Sequence, residues 1–116
     1  MDTATILITL DQANSQDFRN VILRHEGQLQ TLRRLLSEHE THKIELYDEY
    51  CHPETTTQRK EQLMRRNART DRGIASIQAQ IDWHEGEIRM EQENQRRRHE
   101  EIVNAVNHFL HPRHGQ

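Results

Sequence analysis

The 116-residue sequence is short of almost everything that builds a compact core. Apolar residues make up 32% of it and charged residues 30%, against roughly 45–50% and 25% in ordinary globular domains. A thick hydrophobic interior is therefore excluded, and the length leaves room for one domain at most. The only aromatic side chains are Phe18, Tyr47, Tyr50, Trp83 and Phe109, too few to favour a sheet. A single cysteine, Cys51, excludes an internal disulfide and fits a reducing compartment. The longest apolar run, Ile6-Leu7-Ile8, is far too short to cross a membrane or to form a signal-peptide core. These absences predict a cytoplasmic chain with no membrane span. The net charge of −3 supplies neither an overall basic field for nucleic acid nor an acidic tail.

What remains is rich in Arg, Glu, Gln and Leu, with four Gly and two Pro, a composition of long helices with narrow apolar seams. Steps of alternately four and three residues from Phe18 reach Ile22, His25, Leu29, Leu32, Leu36, His39, Lys43, Leu46 and Tyr50, a heptad seam interrupted by polar positions. Backwards, the same frame lands on Ser15, Asp11, Ile8, Ala4 and Met1 without a break. This regularity argues against disorder and predicts a helix over about 3–51, started by Asp2 or Thr3 as cap. His52-Pro53 should end it, because proline lacks the helical donor and drives its predecessor out of the α region. After a tip loop at about 52–56, the alternation resumes from Lys60 through Leu63, Asn67, Thr70, Ile74, Ile77, Ile81, His84, Ile88, Glu91, Gln95, Arg98, Ile102, Ala105 and Phe109. A second helix is expected over about 57–110, with a flexible tail at 111–116. Gly73 and Gly86 lie inside it but off the seam, where they are tolerable.

Folding the second seam back on the first brings like to like when paired residue numbers sum to 109 or 110. Leu46 then meets Leu63, Leu36 meets Ile74, Leu32 meets Ile77, Leu29 meets Ile81 and Ile22 meets Ile88. Polar layers coincide as well: Lys43 with Asn67, His39 with Thr70, His25 with His84, Ser15 with Gln95 and Asp11 with Arg98. This is what avoiding unpaired buried polar groups requires. Ile8 faces Ile102, Ala4 faces Ala105 and Met1 faces Phe109, while Phe18 against Glu91 is the clear mismatch. The expected fold is an all-α, long antiparallel two-helix coiled-coil hairpin, packed into a dimer or larger helical bundle. Exchange of one helix between two chains satisfies the same seam.

A two-helix seam shields a narrow stripe, so apolar residues outside it point to binding. Leu23, Ile44, Trp83 and Met90 occupy outer positions, and Trp is enriched among interface hot spots. At the end carrying both termini, Ile6, Leu7 and Leu10 join Val103, Val106 and Leu110, either sealing the open end locally or forming a dimer or partner site. Near the tip, acidic residues from Glu38 to Glu49 approach on the first helix, and a basic cluster from Arg59 to Arg72 leaves on the second, with Glu49 and Arg59 a natural pair. The neighbouring carboxylates and the lack of interleaved aromatics count against nucleic acid.

Nine histidines raise the question of metal. His39 with His42, Cys51 with His52, and His108 with His111 and His114 are the closest groupings, but a zinc site needs three or four convergent ligands, and no metal or other cofactor is expected. A His25–His84 layer would repel itself when both rings are charged, so acid should loosen it. No phosphate loop, nucleophile elbow or HExxH motif is present, and the adjacent Cys51 and His52 point in different directions on a helix. The sequence reads as a non-catalytic interaction or assembly module, a scaffold, adaptor or complex subunit that self-associates. The alternative is a small sensor whose histidines respond to pH or metal.

Overall fold

The computed structural model of the chain describes residues 2–111. Within them lie two α-helices, α1 over Thr3–Tyr50 and α2 over Thr57–Leu110, and no strand. The fold is the expected all-α helical hairpin. Met1 and residues 112–116, which hold the expected Met1–Phe109 layer's first member and most of the expected tail, lie outside the described residues.

Local chemistry accounts for the helix ends. The Asp2 carboxylate accepts a hydrogen bond from the Thr5 backbone N–H at 2.8 Å, and the Asp2 carbonyl accepts the Ile6 N–H, so Asp2 is the cap of α1. That hydrogen bond holds the Asp2 carboxyl below its ordinary value. At the tip, the backbone N–H of His52 reaches back to the Glu49 carbonyl and the Thr55 hydroxyl donates to that same carbonyl, satisfying the last turn of α1 before Pro53. Thr56 caps α2, its hydroxyl accepting the Arg59 N–H at 3.1 Å.

The chain divides into two compact units: a tip unit, Gly27–Glu85, and a terminal unit that joins Met1–Glu26 with Gly86–Gln116. In the tip unit the buried apolar side chains are Leu29, Leu32, Leu46, Leu63, Ile77 and Ile81. They are the members of three expected layers, and each contributes about 1.5–3 kcal/mol over an exposed position. Leu36 and Ile74 of the fourth layer are half-buried. The polar layer between them is satisfied within each helix rather than across: His39 Nδ1 donates to the Leu35 carbonyl at 2.8 Å, and the buried Thr70 hydroxyl donates to the Arg66 carbonyl at 2.9 Å. Among the described residues no buried side-chain nitrogen or oxygen lacks a partner. The His39 ring lies so close to Gly73 that a Cβ there would meet it at 3.1 Å. Gly73 is thus a seat for the imidazole, a role beyond the mere tolerance its off-seam position suggests.

The terminal unit is built differently. No described residue in it is fully buried, and the inward stripe of α1 consists of half-buried Ala4, Leu7, Asp11, Ser15, Phe18 and Ile22. The heptad frame places Ile8 inward, yet Ile8 is 46% exposed and Leu7 takes its place. Leu7 lies eleven residues before Phe18, three turns to within about 20°, whereas Ile8 is rotated about 80° away. The same spacing relates half-buried Gln95 and Val106 on α2, while Arg98 and Phe109 of the heptad frame are exposed. An eleven-residue repeat therefore displaces the seven-residue one here. Ser15 meets Gln95 as expected, through a hydrogen bond of 3.1 Å. Asp11 pairs with His99, whose Nδ1 lies 3.0 Å from both carboxylate oxygens, instead of with Arg98. Arg98 turns towards Glu91 at 3.9 Å.

Candidate functional site

Within the tip unit, the two flanks of the seam have opposite character. On one flank, Ile44 and Tyr47 of α1 stand beside Met64 and Ala68 of α2, with Leu46 and Leu63 below them, around an open groove of about 710 Å³. Ile44, Tyr47 and Met64 are 62%, 67% and 60% exposed. Spacings of three and four residues put each pair on one helix face. Lys43 and Asp71 span the helices at this groove with an ion pair of 2.5 Å, so Lys43 bypasses its expected layer partner Asn67. The Tyr47 hydroxyl is pushed above its ordinary pKa, first by its hydrogen bond with the Cys51 side chain and then by the Cys51 charge. Lys60 Nζ lies 5.3 Å from the centre of the Tyr50 ring, on the tip side of the groove.

The other flank is polar. Glu38, His39, His42, Arg69 and Thr70 line a shallow cleft of about 400 Å³, and Gln62, Arg65, Arg66 and Arg69 form an arginine stripe along α2. Closer to the tip, Arg59 grips Glu49 through two hydrogen bonds of 2.8 and 2.9 Å, the pair expected from sequence. The Arg59 guanidinium holds the Glu49 carboxyl below its ordinary value.

The residues singled out from sequence fall in several places. Trp83 is 58% exposed, with its ring edge-on to half-buried His84 at 4.9 Å, and it lies outside the groove lining. Leu23 and Met90 are exposed in the terminal unit. Ile6 and Leu10 share one face of α1 and are exposed; Val103 and Leu110 are exposed on a face of α2 that also carries half-buried Val106. Leu7 is half-buried, having joined the inward stripe. His25 is half-buried in the terminal unit. The groove is not apparent from either helix alone, where Tyr47, Met64 and Ala68 each look incidental and Ile44 stands as a single outer apolar residue. The available signal was the pairing of Ile44 with Tyr47 three residues on, and of Met64 with Ala68 four residues on, once the register sets the two flanks together.

Among the described residues, no group of three or more His, Cys, Asp or Glu side chains converges as a metal site. His42 lies 3.8 Å from Glu45, and His52 Nδ1 accepts the Glu54 backbone N–H at 3.2 Å; His114 of the C-terminal group lies outside the described residues. No helix among the described residues is long and apolar enough to cross a membrane. No family model, curated protein or solved structure matches the chain.

Proposed function

We propose that this chain is a non-catalytic protein-interaction module, a scaffold or assembly subunit that packs further helices against its hairpin and self-associates. The observation that carries this reading is the imbalance of its apolar side chains: among the described residues six are buried as core, while twelve large ones are exposed. Isolated exposed apolar residues are ordinary on a protein surface. Here several recur at helical spacings, as Ile44 with Tyr47, Ile6 with Leu10, and Val103 with Leu110, which is the pattern a helix uses to meet another helix. Surface grooves of this kind suit a helical partner better than a reacting small molecule, because more than half of Ile44, Tyr47 and Met64 stands in solvent.

Sedimentation equilibrium or light scattering over a concentration series tests the proposal. A mass that rises from one copy to two over the micromolar range supports self-association. A single-copy mass at every concentration removes it and leaves only binding to a different protein.

A further inference from the structure

In the tip unit α2 carries a second seam on its outer face. Arg65, Arg69, Arg72, Ser76, Ala79 and Trp83 recur at alternating steps of four and three residues, each two residues after a member of the inward seam that runs from Leu63 to Ile81. Two residues turn a helix by about 200°, so this stripe lies on the side of α2 opposite its inward seam. All six residues are exposed, Trp83 by 58%. The stripe is about 27 Å long and changes character along its length, from three arginines through two small side chains to the chain's single tryptophan. Its basic half is unbalanced, because like charges three and four residues apart on a helix repel each other. Arg65 reaches Glu61 at 3.9 Å. Among the described residues Arg69 and Arg72 enter no ion pair, although Arg69 borders the cleft that holds Glu38. Carboxylates set at the same spacing would relieve that repulsion, and a guanidinium binds a carboxylate through two parallel hydrogen bonds. In the other half, Ser76 and Ala79 let a second helix come close, beside a Trp83 ring that can anchor it.

We propose that this stripe docks a helix of a different protein, one that presents acidic residues to Arg65, Arg69 and Arg72 and large apolar residues to Ala79 and Trp83. The proposal rests on the interaction-module reading above and names the partner's chemistry, but it does not depend on self-association. A second copy does not supply such a helix. At the same alternation the outer positions of α1 run Gly27, Thr31, Arg34, Glu38, Thr41 and Glu45, which offer carboxylates to the arginines but nothing apolar to Trp83. The α2 of a second copy would add three further arginines to the same interface. A nucleic acid would find phosphate partners here, yet only one ring to stack on and the Glu61 carboxylate beside the arginines.

Fluorescence anisotropy with two labelled synthetic helices tests this, one for each direction of approach, both carrying three Glu and three Leu at the complementary spacing. One of them is expected to bind the full chain in the micromolar range and to change the emission of Trp83. Replacing its Glu by Gln is expected to weaken binding about tenfold, and Trp83→Ala in the chain about thirtyfold. Arg69→Glu should match the loss seen with the Gln peptide, whereas Arg89→Glu, at an exposed position off the stripe, should leave the affinity unchanged. Circular dichroism checks that each variant folds, and the Glu-against-Gln comparison decides even if one does not, since it uses the unaltered chain. Failure of both peptides, or equal binding of the Glu and Gln forms, overturns the acidic partner. A single-stranded DNA of mixed sequence that binds more tightly than either peptide overturns it in favour of nucleic acid. The mass of the chain alone by light scattering decides self-association separately, so the two proposals can fail independently.

Discussion

The tip unit and the terminal unit use the same two helices and the same types of residue, yet only the tip unit closes a core. Every fully buried side chain of the described residues, including Thr70, lies in Gly27–Glu85. The terminal unit holds eight of the twelve exposed large apolar side chains, Ile6, Ile8, Leu10, Leu23, Met90, Val103, Phe109 and Leu110. The difference lies in what occupies the middle of each seam. In the tip unit Leu and Ile fill four inward layers, and the buried Thr70 of the polar layer among them bonds to its own helix. In the terminal unit the inward stripe passes through half-buried Asp11, Ser15, Glu91 and Gln95, which pair with His99, Gln95, Arg98 and Ser15. Polar groups of this kind cannot be sealed by two helices without a desolvation cost, so the stripe stays half open. Apolar content alone does not make a core; its phase does.

The largest effect that would test this contrast is a core truncation in each unit. Leu63, 1% exposed, is the most buried side chain, and Leu63→Ala is expected to cost about 2–5 kcal/mol. Ile102→Ala, at a half-buried position, should cost roughly 1 kcal/mol, because part of its surface never leaves water. Urea unfolding followed by circular dichroism measures both, and equal losses would erase the distinction between the units.

Glycine substitution sharpens it further. At Gly86 the nearest atom to an added Cβ is the mobile end of Arg89 at 3.9 Å, so Gly86→Ala should raise stability by up to about 1 kcal/mol through helix propensity. At Gly73 the gain should vanish, because the His39 ring stands 3.1 Å away and its hydrogen bond to the Leu35 carbonyl keeps it there. His39→Ala in the Gly73→Ala background should bring the gain back, as thermal melts of the four proteins would show.

Acid should act on the tip through Glu49. Its carboxyl is held below the ordinary value in the folded chain by Arg59, so the unfolded state binds that proton first. The stabilisation is complete above the unfolded pKa and is lost as pH falls through the folded one. Melting curves of wild type and Glu49→Gln should therefore converge as pH drops from 7 towards 3, and curves that stay parallel would remove this pair from the acid response. The smallest effect belongs to Asp2→Ala, which should speed amide exchange at Thr5 and leave the tip unit's amides unchanged.

Much of this architecture was legible in the residues. His52-Pro53 marks the turn, and the Thr run after it supplies the Thr56 cap. The tip register follows from apolar layers that meet only in one alignment, and Leu46 with Leu63, Leu32 with Ile77 and Leu29 with Ile81 are the buried residues found. Two features were not legible. The inward choice of Leu7 over Ile8 depends on how far the helices depart from a strict heptad, and both residues suit a seam equally. The Ile44–Tyr47–Met64 groove depends on neighbours across two helices, which a reading of one helix at a time treats as scattered exposure.

The Glu49–Arg59 grip has a further consequence, for the order in which the chain folds. Its partners are ten residues apart in sequence, while Lys43 and Asp71 are 28 apart and Asp11 and His99 are 88 apart. Closing a loop of 88 residues rather than ten from an unstructured chain costs about 2 kcal/mol more in entropy. Once the tip is clasped, each added layer closes only a few residues more, so contacts should accumulate by zippering outward from Pro53. The bidentate ion pair that looks like a surface ornament would then be the first long-lived contact of the folding chain.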